Sequence, residues 1–157
     1  VDAKITPTND GGSLDLYHVL EGDGSAIGDA NRIADIERAL RRALLQSGDQ
    51  PPTVTRRASR QMRMFNTPTQ VALSTDERNR RSVLELTAGD RPGLLCDVGQ
   101  VLVGEQIALQ GAKIMTIGER AEDVFYVTDA AGNPLSALAA ERLQARLLET
   151  LDRRRAA

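Results

Sequence analysis

SVLELTAGDRPGLL, residues 82–95, decides the fold of this chain. Val83, Leu84, Leu86 and Thr87 suit a pleated, half-buried strand. Ala88-Gly89-Asp90 breaks that run. Pro92 fits the first position of a helix, where its missing N–H costs nothing, and Gly93 lets the backbone come close to whatever lies over the loop. A helix spanning 92–104 follows, with Leu95, Val98 and Leu102 on one face. Its first N–H groups have no partner within the helix and suit a carboxylate or phosphate. Asp90 beside them suits an ammonium. Together they would capture both ends of a free amino acid, although the same pattern also serves simply to start a helix.

Working outward, the chain contains an internal repeat. Ala3-Lys4-Ile5 matches Ala112-Lys113-Ile114, and Asp15-Leu16-Tyr17-His18-Val19 matches Asp123-Val124-Phe125-Tyr126-Val127. A turn follows each, and then a helix with Leu40, Leu44 and Leu45 against Leu143, Leu147 and Leu148. Each copy reads strand–turn–strand–turn–helix. With strand 83–87 and helix 92–104 in front, the second copy becomes β-α-β-β-α, an α+β, ferredoxin-like split βαβ plan. That plan needs a fourth strand beside its first. Residues 70–75, QVALST, supply one if they form a hairpin with 83–87 across the polar 76–81 segment; the alternative is that they close the first copy. The expected organisation is a truncated first unit over 1–46, a linker over 47–69, a second unit over 70–151 and a basic tail over 152–157. The first unit has strands at 1–9 and 13–21 and a helix at 31–46. Its apolar face (Ile5, Leu16, Leu20, Ile33, Ile36, Leu40 and Leu44) needs a cover, from the second unit or from another copy of the chain. The chain opens on a strand without Met, which reads as a fragment or processed piece.

Composition narrows the function. The chain has 157 residues, 41% hydrophobic, and a formal net charge of −2, which argues against a nucleic-acid footprint over its whole surface. The positive charge is nearly all Arg, with clusters at Arg56, Arg57, Arg60, Arg63, Arg78, Arg80, Arg81 and 153–155 that read first as solvated linker and tail. No run is long and apolar enough to span a bilayer, and a single Cys suggests a reducing, cytoplasmic setting. The lone His18 has no second His or Cys nearby to share a metal. Cys96 lacks a His to activate it. Tyr17, Phe125 and Tyr126 resemble an RNA-stacking platform, but strand 83–87 offers no aromatic.

The two tandem β-β-α repeats, the A-K-I strand openings, T-I-G-E-R between strands and D-R-P-G-L-L before the first helix resemble paired ACT domains. GAKIMTIGERAEDVFYVTD is similar to the last ACT domain of bifunctional PII uridylyltransferase/uridylyl-removing enzymes, and residues 1–21 to the domain before it, from mid-domain onward. The resemblance implies a regulatory, glutamine-sensing region that acts on catalytic domains elsewhere and, through them, on PII protein. It implies Mg only for those catalytic domains and no cofactor for this chain. No G-S-x-x-D-x-D signature is present, and one His cannot supply a His/Asp metal set, so no catalytic residue is expected here. By position, the resemblance implies ligand contacts from loop residues Ala88, Gly89, Asp90, Arg91, Pro92, Gly93 and Leu94 and from strand residues Ala108, Gln110 and Ala112. Glu105-Gln106 replaces the Gly that usually ends the helix, and Ala108 stands where a small polar residue is common. The rival reading is an ACT-type module that pairs sheet edges, oligomerises and binds nothing.

Overall fold

A computed structural model describes residues 2–8, 10–45, 54 and 67–156. Their elements are β1 (Asp2–Pro7), β2 (Ser13–His18), α1 (Ala30–Leu45), β3 (Gln70–Asp76), β4 (Arg81–Gly89), α2 (Leu94–Gly104), β5 (Ala108–Ile117), β6 (Arg120–Thr128) and α3 (Ala137–Ala156). The six strands form one antiparallel sheet in the order β2-β1-β5-β6-β4-β3. This is a mixed α/β architecture that accommodates ferredoxin-like βαβ units.

β3 pairs with β4 along its whole length, from Gln70 opposite Thr87 to Asp76 opposite Arg81. The edge strand therefore precedes the unit in the chain, as the short polar connection implies. That connection holds a single 3₁₀ turn, whose last residue, Asn79, donates from its backbone N–H and its side-chain amide to the Asp76 carboxylate. Arg81 pairs with Asp76 at 3.1 Å and lies 3.8 Å from the centre of the Tyr126 ring. Arg80 donates to Asn133 Oδ1 at 3.1 Å. These arginines belong to a folded hairpin and not to a solvated linker. The Arg-rich 56–63 segment and most of the 47–69 linker lie outside the described residues. Residues 152–156, expected as a tail, continue α3.

The core lies between the sheet and helices α2 and α3. Leu84, Leu86, Phe125 and Val127 point inward at every second strand position, and Val98, Leu102, Leu143, Leu147 and Leu151 answer at helical spacing. Gln144 donates to the Val71 carbonyl at 2.7 Å and locks α3 to the edge strand. Glu105 at the end of α2 meets Arg142 and Arg146 of α3. The alternation sends Phe125 into this core and Tyr126 to the opposite face, so the aromatics do not make one stacking platform.

The first unit joins by strand addition. β1 pairs with β5 so that Ala3 faces Ile114, Lys4 faces Lys113 and Ile5 faces Ala112. The two copies of the A-K-I triplet thus pair with each other about a local two-fold axis at the lysines. Ile5 packs against the core, but α1 buries none of its residues, and Leu16, Leu20, Ile33, Leu40 and Leu44 stay exposed in the single chain. The second unit covers only part of the apolar face expected to need it.

α2 closes with a Schellman arrangement. Ile107 N–H donates to the Leu102 carbonyl at 2.8 Å and Gln106 N–H to the Val103 carbonyl at 3.0 Å. Gln106 sits at φ 58, in the left-handed region that favours glycine. Gln106→Gly is expected to raise stability by about 1 kcal/mol by relieving that conformation, measured by urea unfolding. By contrast, Leu143→Ala is expected to cost about 2–5 kcal/mol in the same measurement, whereas Leu40→Ala on α1 changes it by less than about 0.5 kcal/mol.

Candidate functional site

The loop between β4 and α2 is built at one end of the sheet. Ala88, opposite Ala121, is buried and ends the inward-facing series of β4; Gly89 faces Arg120. Asp90 leaves the strand with its N–H bonded to the Glu119 carbonyl at 2.9 Å, which fastens the loop to the β5–β6 hairpin. Pro92 is not the first helical residue. It forms a turn with Gly93, which stands at φ 87 as the N-cap of α2. A left-handed residue cannot continue a right-handed helix, so α2 starts one step later, at Leu94. Val54 lies over this glycine, 3.5 Å from where a Cβ would stand.

No side chain caps α2. Of the first N–H groups expected to face a ligand, that of Leu94 already donates to the Arg91 carbonyl at 3.2 Å. Arg91 itself is committed: its guanidinium meets the buried carboxylate of Asp97 at 2.7 Å. This pair braces the loop against the first turn of α2. Asp90 and the start of α2 are left as the groups able to meet a zwitterion.

The strand residues named with this loop lie elsewhere. Ala108 faces Thr128 at the opposite end of the sheet from Gly89, roughly 30 Å away along β5. Gln110 donates to Thr128 Oγ1 at 3.1 Å, and Ala112 is buried between Phe125 and Ile5. The structure therefore brings Ala88, Gly89, Asp90, Arg91, Pro92, Gly93 and Leu94 together and sets Ala108, Gln110 and Ala112 apart from them. The pairing of β6 with both β4 and β5 is the reason: Gly89 and Ile117 both face Arg120, so the end of β5 near the loop is 115–117, and there Met115 faces Asp2 of β1. Asp2, His18, Leu20, Met115 and Thr116 line a cavity of about 390 Å³ there. His18 pairs with the Asp2 carboxylate in an exposed contact. A larger apolar hollow of about 490 Å³ between β2 and α1 adjoins that cavity, sharing His18 and Leu20. Cys96 is half-buried and accepts from Gln100 at 3.2 Å.

Sequence reasoning missed one group. Asp123 of β6 takes an inward position between Ala121 and Phe125 and is 2% exposed. One carboxylate oxygen accepts from Met115 N–H at 3.2 Å; the other, Oδ2, is buried without a partner. Burial pushes its pKa up to about 6, the Met115 amide opposes this, and the charge of Asp90 adds to it. A carboxylate at an inward position of an alternating strand is the signal that marks it in the sequence.

The geometry defines an α+β module of ferredoxin-like units with a polar loop at one end of its sheet. Over most of its length the chain is similar to bifunctional uridylyltransferase/uridylyl-removing enzymes. It is 45% identical over 152 residues to that of Pseudomonas aeruginosa (strain LESB58), covering 96% of this chain and 17% of the relative. It is 44% identical over 154 residues to that of Ectopseudomonas mendocina (strain ymp), covering 98% and 17%, and 44% over 136 residues to that of Pseudomonas putida (strain W619), covering 86% and 15%. The chain thus spans about one sixth of the length of these relatives. No protein-family profile matches it, and no solved structure does. Among the described residues no helix is long and apolar enough to cross a membrane.

Asp123 makes the stability of the fold pH-dependent. A carboxyl whose pKa is raised in the folded state binds its proton more tightly there than in the unfolded chain. Its folded state is therefore least penalised below pH 4 and loses stability as pH rises from about 4 to 6. The shift corresponds to a loss on the order of 3 kcal/mol. Asp123→Asn is expected to be more stable than the wild type at pH 7, with the difference vanishing near pH 4, measured by denaturant unfolding at each pH.

Proposed function

We propose that this chain is an amino-acid-sensing regulatory module of the ACT type, with glutamine as its ligand, working within a PII uridylyltransferase/uridylyl-removing enzyme in the cytoplasm. The observation that carries this reading is the uncapped start of α2 beside Asp90 in a chain so similar to those enzymes. The helix start offers amides and the positive end of its dipole to the α-carboxylate. Asp90 offers charge to the ammonium. The reading assigns the module no chemistry of its own: uridylyl transfer and removal, and contact with PII protein, belong to the catalytic domains, as does any Mg.

A sensor of this kind works by shifting populations. Glutamine would favour one arrangement of the two units over another, and the catalytic domains would respond to that arrangement. Millimolar affinity needs only about −4 kcal/mol, which a charged pair and a few amides supply. The seam between β1 and β5 is the natural element to respond, because Asp2 and Met115 on its two sides line the cavity at the loop's end of the sheet. The rival reading, an oligomerisation module, draws on the exposed apolar residues of β2 and α1, such as Leu16 and Leu40.

Calorimetry is expected to show glutamine binding, with glutamate and alanine binding less well. Asp90→Ala is expected to weaken that binding by about 1.5–3 kcal/mol while changing the melting temperature without ligand by only a degree or two. Light scattering that shows a dimer, together with calorimetry that shows no heat with any amino acid, would establish the rival.

A further inference from the structure

The half-satisfied carboxylate of Asp123 has no structural explanation. A buried oxygen without a hydrogen-bond donor is costly, and native proteins keep such groups where they are used. Asp123 could be replaced by an apolar residue of the kind found at Phe125 and Val127, its neighbours on the same face of β6. The surroundings lead from it toward the loop. Next along the same face toward the sheet end stand Ala121 and, opposite it, Ala88, both small and both buried. Beyond them the chain turns through Gly89 into Asp90. A carboxylate, two alanines and a second carboxylate thus line up beneath one loop.

We infer that Asp123 is a ligand-binding residue of this site, its unpartnered oxygen taking the primary ammonium of an amino acid while Asp90 forms the outer wall of the same cationic pocket. The inference rests on the amino-acid-sensing reading above and adds a residue to it. The ammonium is the fitting chemistry. It brings a positive charge and three donors, and Oδ2 lacks a donor. Ala88 and Ala121 face each other with the smallest side chains of this face between the two carboxylates. Among the described residues no three His, Cys, Asp or Glu side chains gather as a metal would require. The groups facing Asp123 are Leu86 from β4, the Met115 amide from β5 and Asp90 from the loop; Arg91, the loop's cation, is held by Asp97 of α2. No side-chain cation in this set neutralises Asp123, so the ligand supplies the positive charge. Access requires the 89–94 loop to lift, and its glycines at 89 and 93 flank the segment that moves.

The test uses the whole chain, with glutamine as the probe and glutaramate, the same molecule without its ammonium, as the control. An ammonium placed on Asp123 draws its carboxyl into the ionised form. Glutamine binding at pH 6 is therefore expected to release close to half a proton, read from calorimetry in buffers of different ionisation enthalpy, and almost none at pH 8. Glutaramate is expected to bind at least tenfold more weakly than glutamine, without proton release. Asp123→Asn is expected to bind glutamine at least tenfold more weakly, with no proton release, while its melting temperature without ligand is equal to or above that of the wild type. A merely structural Asp123 would instead show a lower melting temperature and unchanged affinity in the folded variant. If the wild type binds glutamine and the Asn variant binds equally well with the same proton release, this inference is overturned and the sensing reading stands. If the wild type binds no amino acid, both fall.

Discussion

The ladder between Ala3-Lys4-Ile5 and Ala112-Lys113-Ile114 holds the two units of this protein in one sheet. Without it β1 and β2 would be an isolated hairpin, which is marginal in water, and α1 would have nothing to stand beside. The ladder also decides what meets what. Because it is antiparallel and centred on the two lysines, it carries the Asp2 end of β1 toward Met115 and the Pro7 end toward Gly111. The lysines face each other directly, an unfavourable like-charge pairing for a cross-strand position. Backbone bonds and the packing of Ile5 hold the seam in spite of them, whereas the second unit's strands are backed by α2 and α3.

A regulatory element has to come from the weaker part of a structure. Here the strong part is plain: Leu84, Leu86, Val98, Val127, Leu143 and Leu147 are almost wholly removed from solvent. The weak parts are the β1–β5 seam and the pocket end of the sheet, where Asp123 keeps an unpaired oxygen. They lie at the same end, and the Asp123 carboxylate touches the seam directly through Met115 N–H. A charge placed on Asp123 therefore acts on the strand that pairs with the first unit. Under the sensing function proposed above, that is the physical route by which a small ligand would bias the arrangement of two units without any large movement of the core.

Residue alternation explains why one face of the sheet carries these features. Helices α2 and α3 cover the side that holds Ala88, Ala121 and Asp123, so charged groups there are shielded from water, and electrostatic contacts are worth more. The other side holds Lys4, Lys113, Met115 and Tyr126, with Arg81 over the ring. Arg91 and Asp97 show how the shielded side is kept in order. The buried pair braces the loop against the first turn of α2.

Much of this was legible in the residues alone. The strand–loop–helix order of 82–95, the repeated A-K-I triplets, the β-β-α copies and the place of 70–75 beside β4 all follow from local pattern, because period-2 and period-3.6 alternation and turn chemistry act over a few residues. The identity of the loop as the candidate site was equally local. Three matters needed the tertiary structure. The pairing of β6 with both β5 and β4 set Ala108 and Gln110 at the far end of the sheet from Asp90, and no pattern within a single strand encodes which distant strand it will lie beside. Gly93 at φ 87 moved the helix start from Pro92 to Leu94, since the choice between a turn and a first helical residue depends on how the loop is fastened at Glu119. Asp123 appeared in the sequence as one polar residue in a strand; only the packing around it, which buries it and supplies a donor to just one of its oxygens, set it apart.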